Sequence, residues 1–205
     1  MKWNKTKIGN QITLQRGKDI TFDEIEKGNY PVISSSGISY YHNEGFCKSP
    51  GVVLGRKGSV GTVFLSEEDF WSHDTTLWIK DFKGNDPYYV YYFLKNISKR
   101  IEKLDAGSAN PTLNRNHVYL LEEKWAPKHE QIKIRNIIKN FDNSIELYLS
   151  KKNNLENYIK KLYSLGFRNT LVEGGNLLTT NLLNNKIFNE FYLFKGQKKL
   201  PTNSD

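Results

Sequence analysis

A single cysteine, Cys47, stands in a chain of 205 residues. That scarcity excludes an intrachain disulfide and any zinc cluster built from several thiolates. Histidine is nearly as sparse. His42, His73, His117 and His129 are the four, and none has a second histidine at metal-ligand spacing. No metal site is expected. Long apolar runs are also missing: no stretch approaches the roughly 18 residues a membrane span requires. Met1 is followed by Lys2, Trp3, Asn4 and Lys5 rather than by the apolar core of a signal peptide. The expected location is the cytoplasm, with no membrane contact.

What the chain has instead is a modest positive charge, net +8 with a pI of about 9.3. Phosphates attract Lys and Arg, and counterion release favours such binding, so nucleic acid enters as a partner class. The distribution says more than the total. Residues 1–127 carry 17 Lys+Arg and 15 Asp+Glu, residues 128–166 carry 8 and 4, and the remainder carries 5 and 3. No dense basic arm exists, so any contact with DNA has to come from a shaped surface.

Two textures divide the chain. Up to Pro127 it reads as short strands and loops: Tyr30–Ser36, Gly51–Gly58, Gly61–Ser66 and Thr75–Lys80 are β-branched runs bounded by turn residues. Gly51, Gly55, Gly58 and Gly61 punctuate one stretch, as tight turns or bulges require. One helix is predicted from Pro87 to Leu104, with Asp86 as N-cap and Val90, Phe93, Leu94, Ile97, Ile101 and Leu104 at helical period.

From Lys128 to about Leu165 a second, long helix is predicted, roughly 57 Å at about 1.5 Å per residue. Ile134, Ile138, Phe141, Ile145, Tyr148, Leu155, Ile159 and Leu162 alternate in steps of four and three, interrupted only by the polar Lys152. Such a heptad stripe is a narrow seam rather than a broad amphipathic face. It is also too long to be covered by a domain of 127 residues, so part of it needs another helix. The fold class is therefore α+β: a mixed, β-rich domain over 1–127, a coiled-coil-like helix over 128–166, and a tail over 167–205 whose role the sequence does not give.

Signs of chemistry are weak. His73-Asp74 is more simply a polar pair in a loop than half of a catalytic dyad. Glu122-Glu123-Lys124 has an acid-x-Lys pattern with no acidic partner in a preceding strand. Asn110-Pro111-Thr112 is not the Asn-Pro-Pro-aromatic signature of adenine methylation, and Gly55–Gly61 lacks the Lys-Ser/Thr ending of a phosphate loop. No catalytic residue is assigned.

A reader of DNA needs polar and aromatic groups on exposed loops, to bond base edges and phosphates. The candidates are Lys18, Ser34, Ser35, Ser36, Tyr40, Tyr41 and His42, then Arg56, Lys57 and Ser59 in the glycine-punctuated turn. Ser108, Asn110, Arg115 and Asn116 complete the set from the stretch Gly107–Asn116.

The order of segments resembles the specificity subunits of type I restriction-modification systems. The likeness begins in "IGNQITLQRGKDI" and continues through "NYPVISSSGISYYHNEGF", "VVLGRKGSVGTVF", "PYYVYYFLKN" and "LDAGSANPTLNRNHV". It closes in "APKHEQIKIRNIIKNFDNSI", where Pro127, Glu130, Gln131 and Ile134 fill the family's Pro-x-x-Glu-Gln-x-x-Ile pattern. The resemblance implies a target recognition domain that reads a few base pairs, followed by a spacer helix that docks a modification (methyltransferase) subunit and, where one exists, a restriction subunit. It implies no catalysis and no cofactor in this chain, with methyl donor and ATP held by those partners. Full-length members carry two recognition domains and two antiparallel spacer helices. This chain has one of each, so a homodimer through the helix and a palindromic bipartite target are expected. Two other readings stay open. One is an orphan coiled-coil interaction protein that modulates such a complex without reading DNA. The other is a nuclease or methyltransferase in its own right.

Overall fold

The computed structural model describes residues 3–105 and 111–164. Its contacts divide the chain into two compact units, Met1–Tyr148 and Leu149–Asp205. In chain order the first carries β1 (Lys5–Lys7), α1 (Ile8–Gln11), β2 (Thr13–Arg16), β3 (Tyr30–Ser34), β4 (Gly37–His42), β5 (Gly51–Gly55), β6 (Val63–Ser66), β7 (Trp71–Ser72), β8 (Thr76–Asp81), α2 (Pro87–Glu102), α3 (Arg115–Leu120) and β9 (Glu122–Lys124). The long helix α4 (Lys128–Ser164) begins in the first unit; the described part of the second unit is its continuation. No helix among the described residues is long and apolar enough to cross a membrane.

The centre is an antiparallel sheet in the order β2-β8-β5-β6. Strand alternation sorts its side chains onto two faces. Leu14, Val52, Leu54, Leu77 and Ile79 pack against Tyr89, Val90, Leu94, Ile97 and Ile101 of α2. Val53, with Phe64 and Trp78 beside it, faces the other way, into a smaller cluster with Ile33, Cys47 and Phe70. Strand β5 is buried at every position, which is why Gly51–Gly55 reads as a continuous apolar run. Cys47 serves that second cluster as a small apolar residue, and burial pushes its thiol up to about 12, far from a reactive thiolate. A second sheet, β4-β3-β7, covers this side, with β3 antiparallel to β4 and parallel to β7.

Two expectations change. Tyr40, Tyr41 and His42, expected on an exposed loop, lie on strand β4 (Gly37–His42), paired with β3 from Ser34↔Gly37 to Tyr30↔His42. Its exposed side chains, Ile38, Ser39 and Tyr41, mix apolar and polar groups at neighbouring positions, so no apolar alternation marks the strand. The predicted loop up to Asn116 ends in a helix, α3, capped by Asn114 accepting from Asn116 N. The acid-x-Lys pattern is strand β9, paired with β1 (Lys7↔Glu122), and Glu123 is engaged by Arg100.

Helix α2 starts as expected. Asp86 Oδ1 accepts from Tyr89 N at 2.9 Å and Pro87 occupies the first turn, a cap contributing about 1 kcal/mol. The family pattern before α4 acquires a physical meaning. Pro127 O accepts from the Glu130 amide at 2.9 Å, Glu130 Oε2 accepts from Trp3 Nε1 at 2.9 Å, and Ile134 packs on the main core. Gln131 is 1% exposed, with Asn85, Asp86 and Ala126 as partners. Arg135 pairs with Asp86 at 2.8 Å and Lys139 with Glu67 at 3.1 Å. Beyond these anchors the stripe turns to solvent: Phe141 is 66%, Ile145 56% and Tyr148 46% exposed. Leu155 is half-buried, and Lys152, the polar interruption, faces Glu156 at 3.9 Å. The side chains of Ile159 and Leu162 lie outside the described residues.

Candidate nucleic-acid interface

Three arginines from distant parts of the sequence meet at one cleft of about 420 Å³, lined by Arg16, Arg56, Leu77, Thr112, Leu113, Asn114 and Arg115. Each arrives by a backbone constraint. Arg16 ends β2, opposite Leu77 of β8. The next residue is a glycine because the chain runs hard against the turn at Ser72–His73: a Cβ on Gly17 would lie 2.1 Å from His73 O. Arg56 follows β5 in a turn whose Gly58 sits at φ +80°, the left-handed region that an L side chain resists. Both Arg56 N and Lys57 N donate to Thr75 O, at 2.8 and 3.0 Å, and Leu113 N donates to Arg56 O at 2.8 Å. That last bond brings Thr112–Arg115 alongside the turn. Arg115 opens α3, its Nη1 3.4 Å from Leu14 O.

Three arginines line the cleft, and two carboxylates, Asp74 and Asp19, gather with His73 at its edge. Arg16 Nη2 meets Asp74 Oδ2 at 2.7 Å, and Asp74 Oδ1 lies 3.1 Å from His73 Nδ1. Arg56 Nη1 reaches the Asp74 carbonyl at 3.5 Å. Burial, and then repulsion from Arg16, pulls the Arg56 guanidinium below its ordinary range, with Asp74 opposing. Guanidiniums gathered at one cleft, Arg56 half-buried and Arg16 and Arg115 exposed, are suited to a bidentate acceptor such as a phosphate or a guanine edge. Asp19, His73 and Asp74 also offer ligand atoms within 4.8 Å of one another. Sequence spacing does not show this cluster, because Asp19 comes from a separate segment. The cation that Asp74 already holds is Arg16.

The predicted contact residues fall into three groups. Arg56 and Arg115 line the cleft; Lys57, Ser59 and Asn116 are exposed beside it on the same turn and on α3. The second group is the β3–β4 turn, linked to the Arg56 turn by Thr62, whose Oγ1 donates to Ser35 O at 2.7 Å. Here Ser36 is exposed and shares a hydroxyl network with Ser34 and Ser39. Tyr41 is exposed, whereas Tyr40 is half-buried and its phenol is raised by burial and then by Asp19. Lys18 is exposed, with Nζ 4.5 Å from the centre of the Phe46 ring. The third group is interior. Ser35 is buried, its amide donating to Thr75 Oγ1, and His42 is buried with Nδ1 against the Glu26 backbone and its ring edge-on to Trp71. In this conformation those two side chains shape the hairpin rather than meet a ligand. Ser108 and Asn110 lie outside the described residues. Sequence reasoning missed Arg16. The only available signal was its position just before Gly17, at the end of a strand.

Residues 1–157 match the family model for the type I restriction modification DNA specificity domain. The chain belongs to that family. The S subunit of a type I restriction-modification system from M. genitalium superposes with a TM-score of 0.66 at 25% identity, over 80% of this chain and 46% of that one. A chain from a structure addressing complex assembly and conformational transition of the type I R-M system gives 0.62 at 10% identity, over 78% and 43%. The HsdS subunit of Thermoanaerobacter tengcongensis gives 0.56 at 10%, over 71% and 38%. At that identity the last two share the fold alone. The chain thus spans half or less of the length of these specificity proteins. No curated protein matches it. Within the specificity domain the matched residues take in the whole arginine cleft and α4 as far as Glu156 and Asn157.

A first expectation concerns the cleft. Replacing Arg56 by Ala leaves its backbone bonds to Thr75 and Leu113 in place, so the turn should keep its shape. Affinity for duplex DNA should fall by roughly 1–3 kcal/mol. A titration across several salt concentrations separates the two roles: a lost phosphate contact flattens the log–log salt slope by about 0.9, a lost base contact does not. Unchanged affinity at every salt concentration would remove Arg56 from the interface.

Proposed function

We propose that this chain sets the DNA specificity of a type I restriction-modification complex and has no chemistry of its own. The observation that carries the reading is the match of residues 1–157 to the specificity-domain family. The convergence of Arg16, Arg56 and Arg115 within that domain supports it. The recognition domain reads one half-site through the arginine cleft, the Lys57–Ser59 turn and the exposed part of the β3–β4 hairpin. Helix α4 is the spacer. Its exposed stripe at Phe141 and Ile145 is met by α4 of a second copy. A two-fold dimer presents the same reader twice, so the target is a bipartite palindrome. The modification subunit docks on the paired helices and holds the methyl donor. Where a restriction subunit joins, ATP is its cofactor. The complex works on cellular DNA in the cytoplasm.

The test is a methylation map of host DNA after co-expression of this chain with its modification subunit. The expected result is a palindromic bipartite motif that vanishes when this chain is omitted. An asymmetric motif would replace the homodimer by pairing with a different specificity chain. If the modification subunit binds but no motif appears, the reader assignment fails and a modulating, non-reading role replaces it.

A further inference from the structure

Asp74 meets Arg16 of the arginine cleft at 2.7 Å. The turn between β7 and β8 presents it at the edge of the arginine cleft, and the turn is firmly built: Thr76 N donates to His73 O at 3.0 Å, and Thr76 Oγ1 bonds the same carbonyl at 2.6 Å. The carboxylate is the more enclosed partner, its side chain 21% exposed, with Oδ1 3.1 Å from His73 Nδ1, which itself accepts from Thr75 N. Its partner Arg16 is 56% exposed and sits at the end of a strand. Asp74 is therefore the fixed member of the pair and Arg16 the one free to leave. A carboxylate and a phosphate offer a guanidinium the same bidentate acceptor.

We propose that Asp74 is a specificity-determining counter-ion, occupying Arg16 until a correctly docked DNA phosphate displaces it. The inference rests on the reading that the cleft contacts DNA. Non-specific binding is almost wholly electrostatic, and its strength and salt slope count the phosphates neutralised. While Asp74 holds Arg16, a casual duplex gains contacts from Arg56 and Arg115 but must break the Arg16 pair to gain a third. A target held in register by base contacts brings its phosphate to Arg16 at high local concentration and makes the exchange favourable. Asp74 thus lowers affinity for all DNA, and lowers it most where nothing else holds the duplex in place. That widens the ratio of specific to non-specific binding.

The test uses the full chain and a fluorescent 40-base-pair duplex of random sequence, titrated by anisotropy from low to moderate salt. Asp74→Asn should tighten binding about tenfold at ~0.1 M salt and steepen the log–log slope by about 0.9, one further phosphate. Adding Arg16→Gln to Asp74→Asn should abolish both gains, because the freed arginine is their source. Should Asp74→Asn melt at lower temperature, Asp74→Ser removes the charge while leaving a hydroxyl for His73, and must show the same gains. Unchanged or weaker binding in both Asp74 variants would overturn the proposal, as would a gain that survives loss of Arg16. Arg56→Ala and Arg115→Ala run alongside. If they weaken binding and Asp74→Asn does not tighten it, the counter-ion role falls and the cleft stands. If neither weakens it, the cleft is not the DNA surface and the underlying reading falls with it.

Discussion

Phe141→Asp combined with Ile145→Asp should convert the proposed α4-paired dimer into a folded monomer. Both side chains are more than half exposed on α4, so within one copy they have little to lose. Surface substitutions of this kind usually change stability by no more than about 0.5 kcal/mol, and the melting temperature of the β-rich domain should move by no more than about 2 °C. At a helix–helix seam the same changes place four carboxylates, two per copy, in a stripe that otherwise excludes water. An unpaired buried charge costs about 3–5 kcal/mol, so even one per copy should raise the dimer dissociation constant at least a hundredfold. Light scattering over a micromolar concentration series reads the outcome. A wild-type protein that is monomeric throughout, or a double variant that stays dimeric, would rule out this seam. Methylation of a bipartite motif should disappear with the dimer, while binding of an isolated duplex half-site persists at the level of one reader.

Much of this architecture was legible in the sequence because its signals are local. The Asp86-Pro87 start, the apolar period through Ile101 and the heptad spacing of α4 each follow from short-range rules, and the elements they announce are present. Strand β5 was readable because burial on both faces makes it uniformly apolar. What escaped were elements whose stability comes from partners remote in the chain. Strand β4 exposes Ile38, Ser39 and Tyr41 with no apolar alternation, and β9 is a charged tripeptide fixed by pairing with β1, more than a hundred residues earlier. The candidate interface shows the same division. Arg56 and Arg115 were found because glycines and asparagines mark loops. Ser35 and His42 sit in equally polar sequence, yet cross-chain hydrogen bonds draw them inside. Arg16 enters the cleft only because Gly17 lets β2 run against the β7–β8 turn, an approach no local pattern reveals.

The junction between recognition domain and spacer helix supplies the second large effect. Gln131 sits one turn into α4 and joins three segments. Its Oε1 accepts from Asp86 N at 2.8 Å, and its Nε2 donates to Asn85 Oδ1 at 2.8 Å and to Ala126 O at 2.9 Å. Asn85 in turn accepts from Trp125 Nε1 at 2.9 Å and donates to Gln11 O at 2.7 Å. A buried network satisfied at each of these atoms fixes one geometry, and here the geometry is the direction in which α4 leaves the domain. Gln131→Leu keeps the volume and the helix propensity but strands the Asp86 amide and the Ala126 carbonyl. At roughly 1–3 kcal/mol for each buried unsatisfied group, the loss is about 2–5 kcal/mol, a fall in melting temperature on the order of 5–15 °C. Calorimetry of the whole chain reads it, and a shift below about 2 °C would show that water or a rearranged Asn85 replaces the glutamine. The functional consequence is more specific than lost stability. None of the residues lining the arginine cleft is among the groups Gln131 bonds, so the bases recognised should stay the same. On the proposed pairing of α4, the seat of the helix start at Gln131 is what sets one distance between the half-sites. Methylation by the Gln131→Leu complex, measured at a temperature where it remains folded, should therefore keep the half-site sequence and spread over neighbouring spacer lengths. A variant that loses half-site recognition but keeps its spacing would reverse the assignment of reader and ruler.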